Sequence, residues 1–109
     1  MEEKVYRQVV DEVFQRIDAA FETVDPDLAE SVDSQGTLTI TFNVSRRFIL
    51  SPQAPTRQIW VAFKDRAWHF DRDPATGVWM DDRGQGVELY KLVEDTTREV
   101  AGVAVTIKR

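Results

Sequence analysis

The sequence predicts an α+β fold built as a two-layer α-β sandwich, in which an antiparallel sheet of about six to seven strands is covered on one face by N- and C-terminal helices. Helical periodicity occurs near both ends of the chain, and alternating or β-branched segments fill the middle. The links between these segments are short turns, which join antiparallel neighbours. Because one face of such a sheet can remain in water, both helices are expected on the opposite face.

Two segments show the helical pattern. Apolar residues recur every three or four positions from Tyr6 to Val24, which predicts an amphipathic helix over residues 3–23. It ends before Pro26, because the residue that precedes a proline is disfavoured in the helical conformation. A second helix is predicted over residues 86–100, and Gly102 ends it.

The strand predictions rest on alternation and on β-branched or aromatic content. Strict alternation over residues 37–44 predicts a strand with Leu38, Ile40, Phe42 and Val44 on one side. Residues 28–33 are only weakly patterned. The remaining strand predictions cover residues 46–51, 58–63, 67–72, 77–81 and 103–107. Pro52 and Pro55 are expected to stop the strand over residues 46–51.

Alternation also predicts which side chains of the 58–63 strand reach the surface. Ile59, Val61 and Phe63 share the buried side, which places Gln58 and Trp60 on the outer side. An exposed tryptophan on a polar sheet is a frequent anchor for a partner protein. The alternative is that a loop covers Trp60 and makes it part of the core.

Composition excludes several classes of function. The chain has 109 residues and no cysteine, so disulfides, thiolate zinc sites, cysteine nucleophiles and an all-cysteine cluster held by the chain are excluded. A net charge of −5 argues against nucleic acid as a partner. No apolar run is long enough to span a membrane, and the N-terminus shows no targeting signal, so we expect one cytoplasmic domain over residues 1–109.

The negative charge is concentrated in the first third of the chain. Residues 1–33 contain ten acids and three bases, a net charge of −7, whereas residues 34–109 have a net charge of +2. Asp11, Asp18 and Glu22 fall within about 40° of one another on the predicted helix, opposite its apolar side. Such a stripe is either a solvated helix face or a surface for cations or for a basic protein. The like charges of Asp18 and Glu22, four residues apart, cost the helix about 0.2–0.5 kcal/mol, which favours a positive partner.

Sequence signatures of catalysis are absent, since the chain contains no GxSxG, P-loop, GxGxxG or HExxH motif. The single histidine, His69, shares a side of its predicted strand with Asp71, which leaves an acid/base role open. A lone histidine is more often an ordinary surface residue. We therefore expect that the protein is not an enzyme.

Three motifs in this order resemble the frataxin family, particularly its short bacterial CyaY-type branch. They are the strand TLTITF, the segment Pro55 to Trp60 (PTRQIW) and the segment His69 to Asp71 (HFD). The resemblance extends along essentially the whole chain. It implies the same sandwich of two helices on one antiparallel sheet.

The resemblance also implies a function: an iron-binding regulator or iron donor in iron–sulfur cluster assembly that contacts a cysteine desulfurase and a scaffold protein. Carried over by position, the metal ligands are Asp11, Asp18, Glu22, Asp25, Asp27 and Asp33. The implied partner-binding residues are Asp18, Glu22, Asp25, Gln58 and Trp60. Iron, as Fe²⁺ or Fe³⁺, is expected to bind weakly at the surface of a monomer, with iron-dependent oligomers as the alternative state. The alternatives are a small acidic adaptor that does not use iron, and a weak ferroxidase.

Overall fold

The computed structural model describes residues 1–43 and 45–109 and confirms the predicted fold class. Two helices, α1 (Glu3–Ala20) and α2 (Leu89–Ala101), flank a six-stranded sheet in chain order. The strands are β1 (Ala29–Ser34), β2 (Thr37–Phe42), β3 (Arg47–Gln53), β4 (Gln58–Phe63), β5 (Arg66–Arg72) and β6 (Trp79–Asp81). Each strand pairs antiparallel with the next, in the order β1-β2-β3-β4-β5-β6.

The hydrophobic core lies between the sheet and the two helices. On the sheet side it contains the predicted inward residues, among them Leu38 and Ile40 of β2 and Ile59 and Val61 of β4. Tyr6, Phe14 and Ile17 of α1 pack on it from the helix layer. The predicted inward position of Val44 lies outside the described residues. The other face of the sheet has no helix over it in the part of the chain that the structure describes.

Both helices differ from their predicted ends by a few residues. In α1, the chain leaves the α-helix after Ala20, and the N–H of Phe21 bonds the carbonyl of Asp18 in a tighter turn. In α2, the carboxylate of Glu88 accepts the backbone N–H groups of Tyr90 and Lys91, at 2.7 and 3.2 Å. Because this cap satisfies the free N–H groups of the first turn, the helix begins at Leu89 rather than at residue 86.

The prediction that Pro52 stops the third strand is wrong. β3 continues through Pro52 to Gln53, and Pro52 is paired with Ile59 of β4. On the other side, the pairing of β2 with β3 ends at Leu50. Pro52 therefore occupies a locally unpaired edge, where the missing N–H of proline does not interrupt a hydrogen-bond ladder.

The weakly patterned segment over residues 28–33 forms the edge strand β1, in register with β2 from Ala29 opposite Phe42 to Ser34 opposite Thr37. Only its helix-side residues face the core, and of these Ala29 is buried. An edge strand with so few apolar contacts has little alternation to detect in the sequence.

The predicted strand over residues 103–107 is not formed. Within the described residues the chain after Gly102 has no regular structure, although Ile107 is buried. The free edge of β6 is occupied by a bridge between Met80 and Glu88. The N–H of Ile107 instead bonds the carboxylate of Glu94, at 2.8 Å.

Candidate functional site

Seven of the ten acids in residues 1–33 lie on α1, on the segment after it and on the edge strand β1. We call this surface the acidic edge, and it consists of Asp11, Asp18, Glu22, Asp25, Asp27, Glu30 and Asp33. A shallow depression of about 270 Å³ brings Asp18, Glu22 and Glu30 together. Asp11 lies seven residues before Asp18, about 10 Å along the helix. The acidic edge is therefore a ridge of carboxylates and not one compact site.

Asp18 does not point freely into solvent, as the predicted outward stripe requires. It is half-buried, and its carboxylate accepts a hydrogen bond from the hydroxyl of Ser31 on β1. This bond joins the end of α1 to the edge strand. Asp11 and Glu22 are exposed as predicted. The stripe therefore has two solvent-facing members and one that also connects the two layers.

The ion pairs of α1 involve acids outside the acidic edge. Two other acids of α1 are paired within the helix, Glu3 with Arg7 at 3.1 Å and Glu12 with Arg16 at 2.6 Å. Among residues 1–43 and 45–109, none of the seven acidic-edge carboxylates forms an ion pair. No group of three or more acids or histidines within those ranges converges as a metal centre would require. Uncompensated carboxylates that do not converge suit weak attraction of cations or of a basic surface.

The open face of the sheet carries a second group of interacting side chains. Trp60 is half-buried on this face, as the strand phase predicted, and its ring stacks on that of His69, with centroids 4.3 Å apart. The indole N–H donates to Gln58 at 2.9 Å. The amide of Gln58 then donates to Asp71 and Asp82, at 3.1 and 3.2 Å. These five residues, which we call the Trp60 cluster, form one connected network.

Asp82 is the member of the Trp60 cluster that sequence reasoning missed. It lies just after β6, and its carboxylate is 3.5 Å from Nδ1 of His69. Asp71, the predicted neighbour of His69, faces Gln58 across the strand pair instead. The backbone N–H of Asp82 bonds the carbonyl of His69 at 2.8 Å, so β-sheet pairing brings the two together. No local pattern in the sequence signals that pairing.

Small and polar side chains surround the Trp60 cluster. Residues directly opposite one another in a sheet share a face. By the register, Ser51 lies opposite Trp60, and the pair Ala62 and Ala67 lies next to it on the same face. Trp60 is therefore the large aromatic group that this part of the open face presents to a partner.

The fold and these surfaces define a small α-β sandwich with an uncompensated acidic edge and an open sheet face centred on one tryptophan. A family model described as a frataxin-like domain matches residues 1–103. The chain belongs to this family. No helix of the described residues is long and apolar enough to cross a membrane.

Curated relatives match over nearly the full length of the chain. The iron–sulfur cluster assembly protein CyaY of Pseudomonas aeruginosa is 39% identical, with 94% of this chain and 93% of the relative covered. The protein of the same name from Tolumonas auensis is 34% identical, with 98% and 99% covered. The recognition of the frataxin family from its motifs is thereby confirmed.

Solved structures show the same fold. A frataxin from Psychromonas ingrahamii superposes with a TM-score of 0.89 over the whole of both chains, at 23% identity. A trimeric yeast frataxin from Saccharomyces cerevisiae, complexed with ferrous iron, superposes with a TM-score of 0.70 at 21% identity, with 94% of this chain and 88% of that chain covered. At these identities the likeness establishes the architecture alone.

Proposed function

We propose that this protein is an iron-binding regulator or iron donor of iron–sulfur cluster assembly, acting in the cytoplasm and without catalytic activity of its own. The acidic edge attracts Fe²⁺ or Fe³⁺ weakly and docks on a basic surface of a cysteine desulfurase. The Trp60 cluster contacts the scaffold protein. The names of the curated relatives and the ferrous complex of the yeast frataxin support this assignment.

The observation that carries the proposal is the absence of ion pairs along the acidic edge. Seven carboxylates on α1, on β1 and on the segment between them have no cationic partner within the described residues. Their mutual repulsion costs folding free energy, and a bound cation or basic protein relieves it. Oxygen ligands on an open surface suit iron that is held loosely and passed on.

The same charge arrangement supports docking on a protein. An extended row of like charges increases the rate of association with a surface of opposite charge and orients the encounter. Glu22 and Asp27 are exposed members of that row. The Trp60 cluster adds a rigid aromatic contact on a different face, so two partners could be bound at once.

Two variants of equal charge test the proposal. Glu22→Lys with Asp27→Lys changes the acidic edge, and Asp65→Lys with Glu99→Lys changes exposed acids elsewhere. Both raise the net charge by four units. We expect the first variant to lose desulfurase binding in calorimetry and to lose the amide NMR shifts caused by anaerobic Fe²⁺, and we expect the second to retain both. Asp18 is left unchanged because its bond to Ser31 is structural.

The outcomes separate the proposal from its rivals. Desulfurase binding that survives the first variant contradicts docking through the acidic edge. Binding that depends on the acidic edge without any iron-induced shift indicates an adaptor that does not use iron. Oxygen consumption above that of free Fe²⁺, lost in the first variant, indicates a ferroxidase.

A further inference from the structure

A cavity of about 350 Å³ opens on the helix side of the sheet, between α1, the start of α2 and the loop that joins β5 to β6. It shares no residue with the acidic edge or with the Trp60 cluster. Its apolar walls are formed by Val9, Val13, Val78, Trp79 and Leu89. The volume falls at the lower end of the range for sites that hold small organic molecules.

Five charged side chains line this cavity, and four of them form ion pairs with one another. Glu12 and Glu88 are paired with Arg16 and Arg109, at 2.6 and 3.1 Å. The guanidinium of the third arginine, Arg72, forms neither an ion pair nor a hydrogen bond within residues 1–43 and 45–109. Among the charged side chains that line the cavity, Arg72 is therefore the one without a carboxylate partner in the described residues.

Arg72 lies on the inner face of the sheet and not on the open one. It is directly opposite Trp79, which is buried, and Arg72 itself is half-buried. The loop passes close to its guanidinium at Gly77, where a Cβ atom would lie 3.2 Å from an Nη atom of Arg72. Gly77 also has a φ of +75°, a conformation that other residues adopt at a cost. An unpaired guanidinium thus lies against Gly77 and beside the apolar walls of the cavity.

We propose that this cavity binds a small organic monocarboxylate with an apolar body, and that the carboxylate pairs with Arg72. The planar guanidinium matches a carboxylate through two parallel hydrogen bonds. The apolar walls remove the body of the ligand from water. A free inorganic anion leaves the walls unoccupied, and a neutral hydrocarbon leaves Arg72 unpaired. Binding of such a ligand goes beyond the proposed function and does not depend on it.

Octanoate and 1-octanol are the probes, because they share an apolar chain and differ in charge. Backbone amide NMR of the full chain is recorded during titration of the parent protein, of Arg72→Gln and of the control Arg83→Gln, an exposed arginine outside the cavity. We expect saturable octanoate shifts at cavity residues. Octanoate affinity should fall about tenfold or more in Arg72→Gln, the usual effect of losing a charge-assisted pair, and stay unchanged in Arg83→Gln. Octanol should bind more weakly and be insensitive to Arg72.

A second variant tests the cavity without changing its charge. Val9→Phe, at a half-buried position of α1, places a larger side chain in the cavity and should abolish octanoate shifts while Arg72 is intact. Equal octanoate affinity in the parent protein and in Arg72→Gln would overturn the proposal. It would mean that the stem of Arg72 covers the apolar wall while its guanidinium stays in water and binds no carboxylate. Shifts that do not saturate, or that lie outside the cavity, would overturn it as well.

Discussion

The imidazole of His69 stacks on the indole of Trp60, with the ring planes 17° from parallel. The two residues lie directly opposite each other on β5 and β4. Because the indole N–H is also bonded to Gln58, the ring is held in one orientation on the open face. A tryptophan held in this way loses little further conformational entropy when it contacts a partner.

Replacing Trp60 by alanine should separate binding from folding. The change removes one ring stack and one hydrogen bond, so the free energy of unfolding should fall by only about 1–2 kcal/mol. Trp79→Ala, at a residue that is 3% exposed, should cost about 3–5 kcal/mol. Urea unfolding of both variants checks the comparison.

The same Trp60→Ala variant should lose about 2 kcal/mol or more of scaffold binding if Trp60 is the partner anchor. Calorimetric titration of the scaffold protein measures this loss. A scaffold affinity equal to that of the parent protein would remove Trp60 from the proposed interface, whatever the result for stability.

The bond between Ser31 and Asp18 should contribute to stability across the edge of the two layers. Ser31→Ala and Asp18→Ala should each destabilise the fold, and the double-mutant cycle should give a coupling of about 1 kcal/mol. Asp18→Asn should cost less than Asp18→Ala, because the amide oxygen of asparagine can still accept the Ser31 hydroxyl, whereas alanine offers no acceptor. Additive effects in the cycle would show that this hydrogen bond makes no net contribution.

Asp81 should make the loop before α2 sensitive to acid. Its carboxylate accepts the N–H groups of Gln85, Val87 and Arg83, at 3.0, 2.8 and 3.2 Å. The bond from Gln85 is the largest cause that lowers the pKa of Asp81, and it outweighs burial, which raises it. A lowered pKa stabilises the fold above the unfolded-state value of about 3.9, and this contribution is lost as the pH falls through the folded-state pKa. Asp81→Asn should therefore have a lower melting temperature than the parent protein at neutral pH. The difference between the two melting temperatures should become smaller below about pH 4.

Glu94 should hold the C-terminal segment in place. Burial raises the pKa of Glu94, but the hydrogen bonds from Arg109 and from the N–H of Ile107 outweigh it, and the net pKa is lowered. Glu94→Gln should speed hydrogen exchange at the Ile107 amide, while amides in the middle of β4 stay protected. Glu99→Gln, an exposed change on the same helix, is the control. Unchanged exchange at Ile107 would contradict this role.

Much of the fold followed from short-range patterns. The 3.6-residue period of α1 and the alternation of β2 and β4 report which side of each element is apolar, so both layers could be predicted. The same alternation correctly placed Trp60 on the outer side of β4. The concentration of acids before residue 34 is a property of composition and was visible without any structure.

Relations between distant segments were decided by the tertiary structure. Strand pairing places Asp82 beside His69, and the return of β1 along α1 places Ser31 against Asp18. Pro52 stays within a strand because β2 has already ended beside it, and Ile107 stays outside the sheet because Glu88 occupies the edge of β6. Periodicity describes one element at a time and carries no information about register or edges. The sequence therefore determined both helices, the strands with clear alternation and the charge of this protein, whereas only the folded chain determined its edges and which side chains meet.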